Sequence, residues 1–475
     1  MRWEMAEGWL EASVGDSARG LGGSDEKVNK LREAELCDAF ERAVCGVEGD
    51  EGNDFFKVAE GDVLYVYNGR WYERSDMVCL RSMVKRVMER VGVGLVYQKN
   101  SHAKVAQECF DGLLSSERCR FEPDRRYVVF GNGVLDLRSG RMYPHDIRYK
   151  TDVVLKMDYR SDAESPLWDG LVAQTIPDEG MRRAFQQFCG GFLADRGEFK
   201  IEYMCLMVGS GRNGKSVLCE AVTGMFGNDL VSSYSPEDLF KSGQSEYRLA
   251  DINGKLANYA DDVSNRDFSG GDFKRFISGA KFQGRHIYGR PFVVTKVPLM
   301  LCCVNEIPPT SDDSNGHFRR LLPIICPNQV ADCDVDVQLP QKLAAPEVRE
   351  AIFNWVLAGY RDLVAAGGKI EISPSIRELR ETIKEDSNSA RRWLREMGYS
   401  PSPGPGVWMS MKSLMSEYIA YCKDYSENPR TAKSVGKMLS EMGFRRERRR
   451  DTSYYLVGTG EPAPEQAGPK EDLPF

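Results

Sequence analysis

The stretch YMCLMVGSGRNGKSVLCEAV, residues 203–222, constrains the fold more than any other part of the sequence. In it, an apolar run leads into glycines and a lysine, and a helix-like pattern follows. Residues 209–216 match the spacing G-x-x-x-x-G-K-[S/T] in full, and this motif requires a strand before it and a helix after it. Both flanks are present, so the sequence predicts a phosphate-binding loop within an α/β fold.

Each part of this loop has a chemical role in binding a nucleotide. Glycines allow backbone N–H groups to converge on a triphosphate where Cβ atoms would block it. We expect Lys215 to neutralise the β- and γ-phosphates of ATP and Ser216 to ligate Mg²⁺. The predicted cofactor-binding residues are Gly209, Ser210, Gly211, Arg212, Asn213, Gly214, Lys215 and Ser216.

Polar residues at the ends of two later apolar runs would complete such a site. Asp261 and Asp262 follow a strand predicted over residues 255–260. A carboxylate in this place holds the metal, as predicted for Asp261, and polarises the attacking water. Asn305 ends a second apolar run, and its amide would sense the γ-phosphate. The sequence does not decide which of the two aspartates polarises the water.

Two adjacent arginines, Arg319 and Arg320, precede another apolar run. In a ring-shaped ATPase, a guanidinium from the neighbouring subunit offsets transition-state charge, which is typically worth a factor of about 10³ or more in rate. The sequence predicts that one of the two acts in this way. A purely structural role for the pair is the competing interpretation.

Composition excludes several other classes of protein. The 475 residues contain no run of about 18 apolar residues, and the first residues lack a basic patch followed by an apolar stretch. We therefore expect neither a membrane span nor a signal peptide, and a cytoplasmic location. The 13 cysteines form no C-x-x-C pair, so we expect reduced thiols rather than zinc sites or disulfides.

Charge is distributed unevenly along the chain. Residues 1–62 carry 16 acids and 7 bases, whereas residues 391–450 carry 13 bases and 6 acids. Within the basic region, Ser410 and Thr431 are placed to cap two helices, and a basic hairpin, FRRERRRDTSYYLVG, follows them. Two helices and a hairpin with this charge predict a winged helix that binds DNA.

The order of these motifs resembles the superfamily 3 DNA helicases, and most of all the poxvirus, phage and plasmid primase-helicase ATPases. The resemblance covers roughly residues 60–460 and is carried by GSGRNGKS, NYADD, DFKRFISGAKFQGRHIYGRPFVV, the strand ending in Asn305, the arginine pair and the upstream NGVLDL. It implies a P-loop AAA+ type core in a hexameric ring, with ATP hydrolysed between subunits and single-stranded DNA held in the central pore.

By position, the resemblance also implies that the segment RHIYGRPFVV is the hairpin that grips DNA. Cations on such a hairpin contact backbone phosphates without reading bases. The implied DNA-binding residues are Lys281, Arg285, His286 and Arg290.

The resemblance sets the expected function and the expected division of the chain. The function is that of an ATP-dependent replicative DNA helicase of a bacteriophage or related mobile element, acting on single-stranded and forked DNA in the host cytoplasm. No primase or nicking module fits into the first 60 residues. The predicted segments are an acidic, partly disordered segment (1–53), a small α+β domain (54–160), a helical collar (161–200), the ATPase core (201–345), a helical segment (346–388), the winged helix (389–458) and an acidic tail (459–475).

Two other functions remain open from the sequence. One is a replication initiator or loader that keeps the nucleotide site without processive unwinding, and the other is a DNA-binding regulator that uses ATP only to oligomerise.

The tail ends in EDLPF and resembles the acidic tip of bacterial single-stranded DNA-binding proteins. It would recruit host proteins that recognise that tip, although a chance similarity is the competing explanation.

Overall fold

A computed structural model describes most of the chain. The described residues are 4–20, 33–45, 54–91, 101–240, 245–261, 263, 270–287, 289–307, 315–402, 404, 406–425, 429–449 and 452–459. Two of the sequence predictions, Asp262 and the tail from residue 460 onward, lie outside these residues.

The N-terminal part consists of helices packed on a small antiparallel sheet with the strand order β1-β2-β3. The third helix begins at Asp76, whose carboxylate accepts a hydrogen bond from the backbone N–H of Cys79 at 2.8 Å. The elements are the helices Glu4–Gly20, Glu33–Cys45, Met77–Arg90 and Ser101–Ser115, the 3-10 turn Glu117–Cys119, and the strands β1 (Phe56–Ala59), β2 (Val63–Tyr67) and β3 (Tyr72–Ser75).

The first helix corrects part of an expectation from the sequence, which predicted an acidic, partly disordered segment over residues 1–53. Ala6, Leu10 and Val14 recur every four residues and are buried in the core that the N-terminal helices share. Glu7 is also buried, and its carboxylate accepts hydrogen bonds from Arg86 and a second arginine of the helix Met77–Arg90. The acidic, glycine-containing composition suggested disorder, although the segment forms an amphipathic helix. Three apolar residues on one face are enough to bury that face.

A second antiparallel sheet and two helices link this part to the centre of the molecule. The sheet contains the NGVLDL segment, and its buried residues Val128, Phe130 and Leu135 belong to the same apolar cluster as Cys205 and Met207 of the central sheet. The ring of Phe130 packs edge-on against Phe353 with centroids 4.9 Å apart. The elements are β4 (Tyr127–Phe130), β5 (Gly133–Asp136), β6 (Met142–Tyr143) and the helices Pro166–Thr175 and Glu179–Gly190.

The centre of the molecule is a five-stranded parallel sheet with the order β13-β7-β12-β9-β8. Every residue of β7 and β12 is buried, as expected for strands that helices cover on both faces. The predicted α/β fold with a parallel sheet is thereby confirmed. The strands are β7 (Met204–Val208), β8 (Val231–Ser232), β9 (Ala257–Ala260), the separate hairpin β10 (Phe282–Arg285) and β11 (Pro291–Val294), β12 (Leu299–Val304) and β13 (Leu321–Ile325).

Because the strands of this sheet are parallel, their carboxyl ends form one edge and their amino ends form the opposite edge. Val304 and Ile325 both align with Val208, so the loops after β7, β9 and β12 meet at the carboxyl edge. The residues that precede β12 and β13 lie at the opposite, amino edge. The surrounding helices are Lys215–Gly224, Pro236–Phe240, Ser245–Asp251, Gly271–Ile277, Asn315–Phe318, Leu339–Leu343, Pro346–Ala365 and Pro374–Asp386, and a 3-10 turn spans Asp332–Asp334.

The C-terminal part has its own core, built around Trp393, Tyr418 and Tyr455. Both predicted caps are confirmed, since Ser410 accepts from the N–H of Ser413 and Thr431 accepts from that of Ser434. The elements are the helices Ser389–Glu396, Met411–Asp424 and Ala432–Glu441, and the antiparallel strands β14 (Tyr399–Pro401), β15 (Val407–Ser410), β16 (Arg446–Arg449) and β17 (Thr452–Thr459). Within the described ranges, no helix combines the length and the apolar character needed to cross a bilayer.

Candidate nucleotide-binding site

The predicted phosphate loop connects β7 directly to the helix Lys215–Gly224. Gly214 caps this helix with φ of +78°, and Arg212 has φ of +50°. At Gly209 the chain passes so close to its neighbours that a Cβ would lie 2.0 Å from Asn213 Nδ2 and 2.5 Å from Cys326 O. Successive left-handed and right-handed residues turn backbone N–H groups toward one point, which makes an anion-binding concavity at a helix N-terminus.

Four predicted side chains meet beside this loop. Lys215 is buried, and its Nζ donates to Gly209 O at 2.8 Å and lies 3.4 Å from Asn305 Oδ1. Ser216 Oγ donates to Asp261 Oδ1 at 2.9 Å. Residues 211–217 line a cavity of about 400 Å³ together with Asp261 and Asn305. The ends of three strands therefore place an ammonium, a hydroxyl, a carboxylate and an amide around one space.

The donor set fits a magnesium ion bound together with a nucleotide. A hydroxyl and a carboxylate oxygen lie side by side at Ser216 and Asp261, and Mg²⁺ prefers oxygen ligands, using few protein groups and completing its shell with phosphates and water. No cluster of three or more His, Cys, Asp or Glu side chains that could hold a metal occurs among the described residues. Glu220, one turn further along the same helix, has its pKa raised by burial and by the charge of Asp261.

The loop is supported by a segment that sequence reasoning missed. Asn213 Nδ2 donates to Cys326 O at 3.0 Å, and Gln329 Nε2 donates to Ser210 Oγ at 2.9 Å. The backbone N–H of Val330 donates to the carbonyl of the loop residue Arg212 at 2.8 Å. These groups follow β13, which neighbours β7. Because strand order is not written in the sequence, no local signal pointed to them.

The two arginines lie at the amino edge, away from the phosphate loop, because Leu321 aligns with Met204 at the start of β7. The side chain of Arg319 is 60% exposed and lies 3.4 Å from Glu202. Arg320 is 9% exposed and donates to Ser278 Oγ at 2.8 Å and to the carbonyl of residue 316. Burial and the neighbouring Arg319 lower the pKa of Arg320. One guanidinium therefore faces outward, and the other is held inside the fold.

The four predicted DNA-binding residues lie on the β10–β11 hairpin, also at the amino edge. Lys281, Arg285 and Arg290 are exposed. His286 differs from them, because its ring stacks on Phe292 with centroids 5.2 Å apart. Burial, followed by the charge of an arginine of β3, lowers the pKa of His286 and so favours its neutral form.

The hairpin is fixed to the N-terminal part at its second strand. The ring of Phe292 packs on Gly61, where φ is +80° and an added Cβ would lie 2.8 Å from the ring. Beyond β11, Thr295 Oγ1 donates to Glu60 Oε2 at 2.5 Å. The turn between β1 and β2 therefore holds the base of the hairpin from the side.

Comparison with known proteins adds two family matches. Residues 37–177 match the family described as D5 N terminal like, and residues 207–320 match a family of unknown function, DUF5906. A protein of Acanthamoeba polyphaga mimivirus that carries a provisional helicase name is 28% identical over 236 residues. This match covers 46% of the present chain and 23% of the length of the mimivirus protein.

Solved structures include two apo forms of the NrS-1 C terminal region. They are 11% and 12% identical to this chain, with TM-scores of 0.47 and 0.48. The matches cover 85% and 86% of this chain and 96% of each of those chains. The D5 N terminal like match and the similarity to the mimivirus protein support the predicted relationship to viral helicases in its coarse form, while the assignment to superfamily 3 stays a prediction.

Proposed function

We propose that the chain is a subunit of an ATP-dependent replicative DNA helicase of the superfamily 3 type, from a phage or related mobile element. In this proposal the subunits form a closed hexameric ring, and ATP is hydrolysed at the seam between neighbours. The observation that carries it is the grouping of Lys215, Ser216, Asp261 and Asn305 around one cavity of about 400 Å³.

Each residue of the cavity would have its own role in ATP hydrolysis. The loop N–H groups and Lys215 would hold the β- and γ-phosphates, and Asn305, next to the lysine, would contact the γ-phosphate. Ser216 and Asp261 would hold Mg²⁺, which bridges the two phosphates and offsets their charge when bound. Asp261 also lies where a carboxylate can orient the attacking water.

The placement of Arg319 supports hydrolysis between subunits. It is exposed at the edge of the sheet opposite its own phosphate loop, so it is free to face the nucleotide of a neighbour rather than its own. Of the two arginines that the sequence left as alternatives, we assign Arg319 as the finger and Arg320 as a structural residue that donates to Ser278 and to the carbonyl of residue 316. The strand order, with β12 inserted between β7 and β9, agrees with a P-loop AAA+ type core.

The DNA would be held by the β10–β11 hairpin through Lys281, Arg285 and Arg290. These cations are exposed on one hairpin and can contact successive phosphates of a single strand. The C-terminal helices and the hairpin β16–β17 would form the winged helix.

The test is strand displacement from a forked substrate by the purified chain, compared with the Asp261→Asn and Lys215→Ala variants. Asp261→Asn keeps the shape of the side chain and removes its charge, so we expect ATP binding to persist while hydrolysis and displacement are lost. Asp229→Asn is the matched control, because the Asp229 side chain is 80% exposed and, in the described part of the chain, forms an ion pair with Lys156. Displacement by Asp261→Asn at the control rate would refute the proposal.

A replication initiator or loader is the alternative, favoured by one observation. The C-terminal part has a core of its own, so this part could bind DNA without a nucleotide in the cavity. This alternative predicts ATP-dependent opening of a short duplex but no displacement of long strands. Displacement measured against duplex length separates the two functions.

A further inference from the structure

A cleft of about 1220 Å³ separates the helix Ala432–Glu441 from the central part of the molecule. Its volume is roughly three times that of the nucleotide cavity, which is about 400 Å³. One wall is the helix Ala432–Glu441, and the other includes residues of the helix Pro374–Asp386 and Asn315. The two walls therefore belong to different units of the fold.

Positive charge dominates the lining of the cleft. Lys384, Arg391, Lys433, Lys437 and Arg446 contribute five cations, and Glu441 is the one acid among the described lining residues. Within the described part of the chain, Lys437 lies 3.7 Å from Glu441, whereas Arg391 and Lys433 have no carboxylate within ion-pair distance. Cations on two facing walls match a polyanion that passes between them.

The lining favours a nucleic acid backbone over exposed bases. Its one aromatic residue among those described, Tyr455, is 1% exposed, and its hydroxyl donates to Gly436 O at 3.4 Å. Stacking of bases on exposed aromatic rings adds to the affinity for single strands, and the described lining residues of this cleft offer no exposed ring. Phosphate contacts without stacking are typical of proteins that hold duplex DNA by its backbone.

The central wall of the cleft is joined to the backbone on both sides of Arg319. Asn315 begins the helix Asn315–Phe318, which ends immediately before Arg319. The helix that carries Lys384 also carries Arg380, whose Nε donates to the backbone O of Leu321 at 2.7 Å. A rigid ligand that presses on this wall therefore acts on both flanks of the Arg319–Arg320 pair.

We propose that this cleft binds the phosphate backbone of duplex DNA, and that its occupancy positions Arg319 for hydrolysis at the neighbouring subunit. The coupling to Arg319 rests on the proposed function, whereas the binding of duplex DNA does not. The single strand and the duplex arm of a fork would then occupy separate sites, the β10–β11 hairpin and the cleft.

The test is the double variant Lys433→Ala/Lys437→Ala, which removes two cations from an exposed helix face. The control is Lys412→Ala/Lys423→Ala, which removes the same charge from exposed positions of the adjacent helix outside the cleft. The measurements are the affinities for a blunt duplex and for a single-stranded oligonucleotide over a range of salt, and ATP turnover with and without duplex. Losing two phosphate contacts would reduce the log–log salt slope for duplex by about 1.8.

We expect the cleft variant to lose duplex affinity and duplex-stimulated turnover, and to keep single-strand affinity and unstimulated turnover. Duplex affinity and salt slope equal to those of the control would overturn the cleft as the binding site. Equal losses for both substrates would show that the occupant is a single strand, which contradicts the proposal. Weaker duplex binding with full stimulation would refute the coupling to Arg319. A wild-type chain without ATP turnover would refute the proposed function. The duplex affinities of the two variants would still test whether the cleft binds duplex DNA.

Discussion

The assignment of Arg319 to a neighbouring active site makes a sharp quantitative prediction. Arg319 precedes Leu321, which aligns with Met204 at the start of β7, and the phosphate loop follows Val208 at the other end. Five residues of strand span about 17 Å at roughly 3.3 Å per residue. This separation exceeds the reach of an arginine side chain, so Arg319 has no access to the phosphates bound by its own subunit.

The perturbation is Arg319→Ala, with Arg320→Ala as the matched comparison. Loss of a trans arginine typically lowers turnover by a factor of about 10³ or more, and ATP binding should persist because the cavity is remote. Arg320→Ala should instead lower the free energy of unfolding by about 1–3 kcal/mol, because it leaves half-buried acceptors without their donor. A thermal melt and a turnover assay on both variants separate the two roles.

The decisive assay mixes inactive subunits. Lys215→Ala and Arg319→Ala chains carry different affinity tags, are co-expressed in equal amounts, and are purified through both tags. An interface is active when the subunit that binds ATP has Lys215 and its neighbour has Arg319. Random assembly of a closed ring makes about one interface in four active, so we expect roughly a quarter of wild-type turnover. Mixed rings as inactive as either parent would refute the trans assignment, as would full turnover by Arg319→Ala alone.

Three further substitutions test parts of the fold. Gly209→Ala should abolish nucleotide binding in a fluorescent-ATP titration, because its Cβ would lie 2.0 Å from Asn213 Nδ2; unchanged affinity would contradict the close packing. Hydrogen bonding to Arg126 holds the pKa of Asp136 well below its ordinary value, so this stabilisation is present above about pH 4 and is lost as the pH falls. Asp136→Asn should therefore lower the urea midpoint at pH 7 and lower it by less at pH 3, whereas an equal deficit at both would exclude the ionic contribution. Leu10→Ala should cost about 2–5 kcal/mol in urea unfolding, and a negligible cost would restore the expectation of a mobile N-terminus.

The sequence predicted the features that depend on local pattern. The glycine loop, with a strand before it and a helix starting at Lys215, follows from residues that are neighbours along the chain. Ser410 and Thr431 were recognisable as caps for the same reason, because a cap bonds to an N–H only three residues away. Asp261 and Asn305 were found because carboxyl ends of parallel strands meet at one edge, wherever those strands lie in the sheet.

Features that depend on strand order or on a whole face of a unit were not predictable. The sequence could not separate Arg319 from Arg320, since only the packed fold decides which guanidinium is buried. The support from Cys326 and Gln329 depends on β13 lying beside β7, which no local pattern reveals. The helix Glu4–Gly20 was hidden by its acidic composition, although its burial depends on three apolar residues.

The contact between Phe292 and Gly61 has a mechanical consequence for any motion of the β10–β11 hairpin. The ring of Phe292 contacts the backbone of Gly61 rather than a flexible side chain. We therefore expect a displacement of β11 to move the turn between β1 and β2 with it. The N-terminal helices share a core with those strands, so they would travel as a single body. Under the proposed function, a movement of the hairpin with bound DNA would therefore be transmitted to the N-terminal helices.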